Sequence, residues 1–346
     1  MVNFKERIIG SLSTAILIGS SLGSACDNPK PMNPTETPAI TKTTQPAESV
    51  WNGLTPMERL RRLEIRDFPK TKDFDLDKEL SLATAQFYCQ VTKCNKSSEQ
   101  MAASVSYLTD DEIVKKTVIE TNVALSEEDL NKQKKKQLAF TTRDKKAIYV
   151  NSTLLKEVIR KIYTSPQELQ EEELGDKDLT TVVKMSILVH EFTHMNSQPQ
   201  TKDFFAFSAS LPDIEGPINF GQIYGFEILG NTQDGKIFYI EGGNEAVTER
   251  AAQLIGSKSG LYVGVADEYS NGADLVDQLN KGTDVTNEEF LKYVSGQLPS
   301  EKLIEKWGKG DFKTGVLLLA SIGLYVQGYT TVNDTQEYIE DVLETP

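Results

Sequence analysis

The feature that most constrains this chain is the ten-residue stretch LVHEFTHMNS at positions 188–197. It contains His190, Glu191 and His194, and the whole chain of 346 residues has only 2 histidines. Side chains four residues apart on a helix lie on one face, so both imidazoles can bind a single ion. The glutamate beside the first histidine can orient and deprotonate a water on that ion. The spacing therefore predicts a metal-binding helix with hydrolytic chemistry, and the alternative is an ordinary helix that carries two histidines.

A second helix is predicted from the stretch GGNEAVTERAAQLIG, where Asn244 is expected to cap the helix start. Glu245 and Glu249 follow at a spacing that places both carboxylates on one face. The combination of HEFTH with GGNEAVTE resembles the thermolysin-like gluzincins, in which an N-E-A-x-x-[DE] helix supplies the third zinc ligand. The resemblance covers two short helices and does not extend to the helical N-terminal part.

The resemblance implies a zincin-like metallopeptidase domain that binds Zn²⁺ through His190, His194 and Glu245. It also implies that Glu191 is the general base. Glu249 would hold a ligand histidine through its other ring nitrogen. The family usually has aspartate at this last position, and the departure leaves Glu249 as an alternative third ligand.

One component of the family is missing from this chain. Thermolysin-like enzymes use a further histidine to stabilise the oxyanion, and both histidines here are assigned to the metal. A tyrosine or arginine would have to replace it. The candidates near the third-ligand helix in sequence are Tyr239, Tyr262, Tyr269 and Arg250. Nothing in the sequence selects among them, and a structural role is the favoured interpretation of each.

The N-terminus is predicted to be a signal sequence over residues 1–26. Two basic residues precede a short apolar run at positions 8–18, and small residues follow it. Cys26 then stands where a bacterial lipoprotein carries its lipidated first residue, and ordinary cleavage after Ala25 is the alternative. We therefore expect an exported protein in the cell envelope, anchored by lipid and facing outside the cytoplasm, or a secreted one.

Amino-acid composition and net charge limit the kinds of partner and the cellular compartment that we expect. Residues 27–50 are rich in Pro and Thr and are predicted to be a disordered tether. With Cys26 lipidated, Cys89 and Cys94 remain, and a disulfide between them suits an oxidising compartment. The net charge of −14 argues against nucleic acid or an anionic membrane surface as the main partner. Membrane association is expected only through the lipid anchor at Cys26.

Residues 51–346 are predicted to form one α+β domain, mostly helical, with a small sheet of hairpins beside the metal helix. It divides into a helical N-terminal part (51–135), a metal-site core (136–256) and a helical C-terminal part (257–346). Hairpins are expected to pair 138–142 with 147–151 and 221–229 with 236–240. The remaining expectations are a helix over 97–108, a surface loop over 197–219 and a buried helix over 314–329.

The leading functional hypothesis is an exported zinc metallopeptidase that cleaves a peptide or protein substrate. In peptidases of this kind an edge strand near the site pairs with extended substrate. The second strand of the first hairpin, which stands just ahead of the metal helix in sequence, is the candidate for that strand, and ordinary sheet structure is the alternative. The alternatives are a non-catalytic metal-binding envelope lipoprotein with a zincin fold and an amidase that acts on cell-wall peptide. Glu191 argues against the non-catalytic alternative, since a purely structural site needs no base.

Overall fold

The structure is a computed structural model that describes residues 53–63, 75–94, 96–121, 138–142, 144–163, 179–197, 201–209, 218–232, 237–259 and 267–344. The predicted signal sequence, the lipidation site Cys26 and the tether lie outside these residues and stay predictions. The described chain is mostly helical with two small sheets, in agreement with the predicted α+β class.

The described N-terminal part begins with three helices whose starts are marked by capping residues. They are α1 (Pro56–Leu63), α2 (Leu76–Thr92) and α3 (Ser98–Ala103). Asp75 caps α2 by accepting a hydrogen bond from a backbone N–H in its first turn. Ser97 and Gln100 form a capping box at the start of α3. The local sequence therefore accounts for where these helices begin.

The chain turns into a strand directly after α3, where the sequence predicted a continuing helix. Val105–Leu108 form β1, which pairs in parallel with β3 (Ile148–Asn151). The predicted single helix over 97–108 is therefore wrong. A strand is decided by its partner, and this partner lies far along the chain, where a local pattern cannot show it. Helix α4 (Asp110–Thr121) follows β1.

The first predicted hairpin is confirmed and forms the three-stranded sheet. Strand β2 (Ala139–Thr141) pairs antiparallel with β3, with Thr141 opposite Ile148. The sheet order is β1-β3-β2, so the second strand of the hairpin, β3, is central because β1 pairs with its other side. The expectation that this strand is an edge strand is therefore wrong, and β2 lies at the edge instead. Helix α5 (Ser152–Tyr163) follows, and then the predicted metal helix α6 (Leu179–Asn196), against which β2 packs.

The second sheet has four antiparallel strands in sequence order. They are β4 (Thr201–Ala209), β5 (Ile218–Tyr224), β6 (Glu227–Thr232) and β7 (Ile237–Ile240). The predicted surface loop over 197–219 is wrong, because β4 pairs with β5. The predicted strand over 221–229 is split at Gly225, whose φ of 60° favours glycine and allows a tight turn. The pairing of β6 with β7 confirms the second hairpin.

Six helices complete the described chain, and the first of them is the third-ligand helix. They are α7 (Gly242–Ser257), α8 (Asp267–Gly282), α9 (Asn287–Val294), α10 (Ser300–Trp307), α11 (Phe312–Val326) and α12 (Val332–Glu344). Helix α7 packs against α6, α8 and α11. Helix α11 is the apolar stretch expected in the core, and most of its side chains are buried. Among the described residues, no helix combines the length and apolar character needed to cross a membrane.

Helix α7 begins earlier than the sequence predicted. Glu241 occupies the N-cap position, so Asn244 lies inside the first turn and the predicted cap is wrong. The first residues of α7 pack closely on α11: a Cβ on Gly242 would stand 2.3 Å from the carbonyl oxygen of Gly323. A Cβ on Gly243 would stand 2.8 Å from the side chain of the neighbouring leucine on α11. Two glycines therefore let the backbone of α7 approach α11 at the level of the metal site.

Candidate metal centre

The metal helix α6 is buried along nearly its whole length, which holds its two histidines rigidly. His190 is 3% exposed and His194 is 7% exposed. Val183 and Ile187 lie on the same helical stripe and are also buried. The helix end is tied down because Asn196 donates from its side chain to the backbone carbonyl of the preceding turn. The predicted helix over the H-E-x-x-H stretch is confirmed.

Three donor atoms from two helices converge on one point. The Nε2 atoms of His190 and His194 lie 3.1 Å apart. Oε2 of Glu245, in the first turn of α7, lies 3.2 Å from the first nitrogen and 3.3 Å from the second. These three residues form a group that could hold a metal ion. The structure therefore brings together the two histidines and the third ligand predicted from sequences far apart in the chain.

Glu249 contacts the opposite side of the first histidine. Its Oε2 lies 3.0 Å from Nδ1 of His190, and its side chain is fully buried. Because a carboxylate accepts hydrogen bonds, Nδ1 of His190 carries a hydrogen, and Nε2 is the ring nitrogen that a metal ion can reach once it displaces any proton there. Glu245 therefore lies with the two Nε2 atoms, whereas Glu249 lies on the Nδ1 side of His190. The geometry thus favours Glu245 over Glu249 as third ligand.

The second histidine is held by uncharged side chains. Nδ1 of His194 lies 3.3 Å from Oγ1 of Thr248 and 3.3 Å from Nδ2 of Asn244. Nδ2 of Asn244 also donates to Oε1 of Glu227 at 3.1 Å, so the amide nitrogen has an acceptor on β6. The hydroxyl of Thr248 can accept the hydrogen from Nδ1 of His194, which again leaves Nε2 free for an ion.

The electrostatics show that the cluster attracts positive charge. Burial disfavours a charged imidazole, but hydrogen bonds and charges from Glu245 and Glu249 outweigh it and raise the pKa of His190 to about 10. Burial likewise opposes ionisation of Glu245, but the two histidines lower the pKa of its carboxyl well below the usual range. A cation bound by the three donor atoms would contact the carboxylate of Glu245 and would compete with the proton on Nε2 of His190.

Glu191 follows His190 directly on α6 and is 6% exposed. Its carboxylate Oε2 accepts a hydrogen bond from Oγ1 of Thr141 at 2.8 Å. Thr141 belongs to the edge strand β2, so the candidate base is tied to the first sheet. Nothing in the sequence around Thr141 singles it out, because the contact depends on how β2 packs against α6.

Tyr269 is the candidate oxyanion residue that the structure places beside the metal cluster. Its ring stacks on that of His190, with centroids 6.0 Å apart and planes inclined by 14°. Burial and the charges of neighbouring carboxylates, Glu245 foremost, raise the pKa of Tyr269 well above its ordinary value. The phenol therefore stays protonated near neutral pH and can donate a hydrogen bond.

The other oxyanion candidates are not brought to the cluster. Arg250 points elsewhere and forms an ion pair with Asp277 of α8. The side chain of Tyr239 and the whole of Tyr262 lie outside the described residues. Among the described candidates, the structure therefore favours Tyr269.

The predicted disulfide between Cys89 and Cys94 is present at the C-terminal end of α2. It closes the turn in which Lys93 adopts the left-handed conformation that ends the helix. Helix α2 packs against α6, and Tyr88 of α2 contacts the ring of Phe192 edge-on. The disulfide therefore secures a helix that supports the metal helix.

Comparisons of the chain with protein-family models, with curated proteins and with solved structures found no match. The resemblance to gluzincins consequently rests on the residues and geometry described above, and membership of that family stays a prediction.

Proposed function

We propose that this protein is an exported zinc-dependent metallopeptidase with a zincin-like domain. The observation that carries the proposal is the convergence of two imidazole nitrogens and one carboxylate oxygen, with Glu191 next to the first histidine on the same helix. A purely structural zinc site is usually closed by four protein ligands, whereas a catalytic site has three and an open position. Three ligands and an adjacent base support a catalytic centre.

The donor set supports zinc as the metal. Ligands about 2.0–2.1 Å from zinc in a tetrahedral arrangement are separated by about 3.3 Å from each other. The three separations here are 3.1, 3.2 and 3.3 Å. Calcium and magnesium prefer all-oxygen sites, which a pair of imidazoles does not provide. The fit is therefore best for zinc or a transition metal of similar size.

Bound zinc would supply Lewis-acid chemistry, polarising the scissile carbonyl and acidifying a water. Glu191 would take the proton of the attacking water at its carboxylate and pass it to the leaving amine. His190 and His194 would keep their Nε2 lone pairs directed at the ion, through the contacts of Nδ1 with Glu249 and Thr248. Tyr269 would donate its phenolic hydrogen towards the developing oxyanion.

The edge strand β2 supports a peptide as substrate. Backbone hydrogen bonds join Thr142 to Ala147 and Leu138 to Asn151 across the hairpin. In an antiparallel pair of strands, hydrogen-bonded and non-hydrogen-bonded residue pairs alternate. Ala139 and Thr141 belong to non-hydrogen-bonded pairs, so their backbone N–H and C=O groups point away from β3. An extended peptide could form backbone hydrogen bonds with these groups whatever its amino-acid sequence. The predicted signal sequence and Cys26 support a reaction outside the cytoplasm, at the cell envelope or beyond it.

The test is hydrolysis of a quenched fluorescent peptide library by the zinc-loaded mature chain. We expect turnover in the parent and a loss of at least about a hundredfold in Glu191→Gln, because proton transfer is removed while the ligands remain. Zinc content should be equal in both proteins. Glu337→Gln, which makes the same change on an exposed face of α12, is the matched control and should keep full activity.

Two results would overturn the proposal. Full activity in Glu191→Gln would exclude this mechanism. A zinc-loaded parent that cleaves no peptide in the library would favour a non-catalytic envelope protein, or an amidase acting on cell-wall peptide, which purified cell-wall fragments would distinguish.

A further inference from the structure

The hydroxyl of Thr141 contacts Glu191 at two places. Its Oγ1 lies 2.8 Å from Oε2 of the Glu191 carboxylate and 3.0 Å from the Glu191 backbone oxygen. A hydroxyl has one hydrogen to donate, and a charged carboxylate is a stronger acceptor than a peptide carbonyl. The hydrogen is therefore best directed to the carboxylate, with the carbonyl as a close neighbour.

This contact holds one of the two oxygens of the Glu191 carboxylate. With Oε2 of Glu191 held by Thr141, Oε1 is the carboxylate oxygen left to receive a proton. Glu191 is 6% exposed, so few water molecules can replace the lost partner if the hydroxyl is removed. The Glu191 side chain would then be free to rotate away from the position in which Thr141 holds it.

The place of Thr141 in the sheet gives it a second property. It stands opposite Ile148 in β2, at a position whose backbone groups face away from β3. The backbone of Thr141 therefore faces the outer edge of the described sheet, while its side chain contacts Glu191. No local sequence rule predicts this pairing, since Thr141 and Glu191 are 50 residues apart.

We propose that Thr141 is a positioning residue that orients the Glu191 carboxylate for proton transfer. The inference rests on the proposed function, because orientation of a base has a consequence only if a reaction uses it. The side-chain hydroxyl should then affect the chemical step, whereas the backbone of the same residue, unchanged by substitution, should continue to bind substrate.

The experiment compares Thr141→Val, Thr141→Ser and the parent, all zinc-loaded. Valine keeps the branched shape that suits a strand and lacks the hydroxyl, whereas serine keeps the hydroxyl and lacks the methyl group. We expect kcat to fall about tenfold or more in Thr141→Val, with KM within about twofold of the parent. Thr141→Ser should recover kcat to within about threefold. Zinc content should stay stoichiometric in both variants.

The control for loss of a buried threonine hydroxyl is Thr335→Val in α12. Thr335 is 2% exposed and donates to a backbone carbonyl one turn earlier, far along the chain from the metal site. We expect its kcat and KM to equal those of the parent. A merely structural role for Thr141 would lower the active fraction or the zinc content of Thr141→Val, without a separate effect on kcat per bound zinc.

The outcomes separate this inference from the proposed function. An active parent with unchanged kcat in Thr141→Val would overturn the inference alone. Equal losses in Thr141→Val and Thr141→Ser would also overturn it, because the hydroxyl would not be the cause. If Thr141→Val fails to load zinc, the same comparison of Thr141→Ala with Thr141→Ser decides the question. An inactive parent would remove both the proposed function and the inference.

Discussion

Gly323 is a position where one added methyl group should disturb the metal centre through the backbone. A Cβ at Gly323 would stand 2.3 Å from Cγ2 of Ile240 and 2.8 Å from the backbone nitrogen of Gly243. Glu245 follows Gly243 by two residues in the first turn of α7. Reaching an ordinary contact of 3.4 Å with the Gly243 nitrogen requires a movement of 3.4 − 2.8 = 0.6 Å.

Two effects oppose each other in Gly323→Ala. Alanine favours a helix over glycine by about 1 kcal/mol. Overpacking in a well-packed core costs about 1–3 kcal/mol, and the upper end applies here because a backbone atom cannot rotate away. The cost of the clash should therefore exceed the gain in helix propensity, and we expect the unfolding free energy of the metal-free protein to fall by about 2 kcal/mol. Zinc affinity should fall too, because a site loosened by more than about 0.5 Å binds poorly.

The assay is urea unfolding of the metal-free protein together with a competition titration of zinc against a chelator. Gly282→Ala is the matched control, since a Cβ there meets first the end of the flexible Leu343 side chain, at 2.5 Å. We expect the control to keep the stability and zinc affinity of the parent. The reasoning would be refuted if Gly323→Ala matched the parent in both measurements.

Two further predictions concern groups that support the metal helix. Replacing Glu249 by alanine should leave Nδ1 of His190 without its carboxylate and lower zinc affinity about 10–100-fold, measured by competition titration, while saturating zinc still gives full occupancy. Zinc that cannot be bound even at saturation would instead assign Glu249 as a ligand. Replacing both Cys89 and Cys94 by alanine should lower the unfolding free energy by about 2 kcal/mol, the value for a very short closed loop. Urea midpoints equal to those of the oxidised parent would contradict this.

The sequence was sufficient to predict the cluster of His190, His194 and Glu245 because each of its two motifs is local. His190 and His194 share a helical face through their spacing, and Glu245 follows from a second short motif. The same locality explains the disulfide between Cys89 and Cys94, five residues apart in sequence. Helix α11 was predictable because a long apolar stretch must be buried.

What the sequence could not supply depends on contacts between distant elements. Strand β1 exists because it pairs with β3, and β4 because it pairs with β5. Three contacts around the site come from three different elements: Thr141 contacts the candidate base, Thr248 contacts the second histidine, and Glu227 contacts the neighbouring Asn244. A threonine or glutamate has no local signature of such a role, since many of these residues are simply exposed. Tertiary packing decides which of them meet the site.

The measurement that tests the account most directly is the zinc content of the purified mature chain, determined by elemental mass spectrometry. The proteins to compare are the parent, His190→Ala, Glu245→Ala and the control Glu337→Gln. The account predicts about one zinc per chain in the parent and the control, and loss of that zinc in both ligand variants, since each removes a donor atom. A parent that binds no zinc even after zinc is added back would contradict the central claim, as would retention of full zinc in both ligand variants.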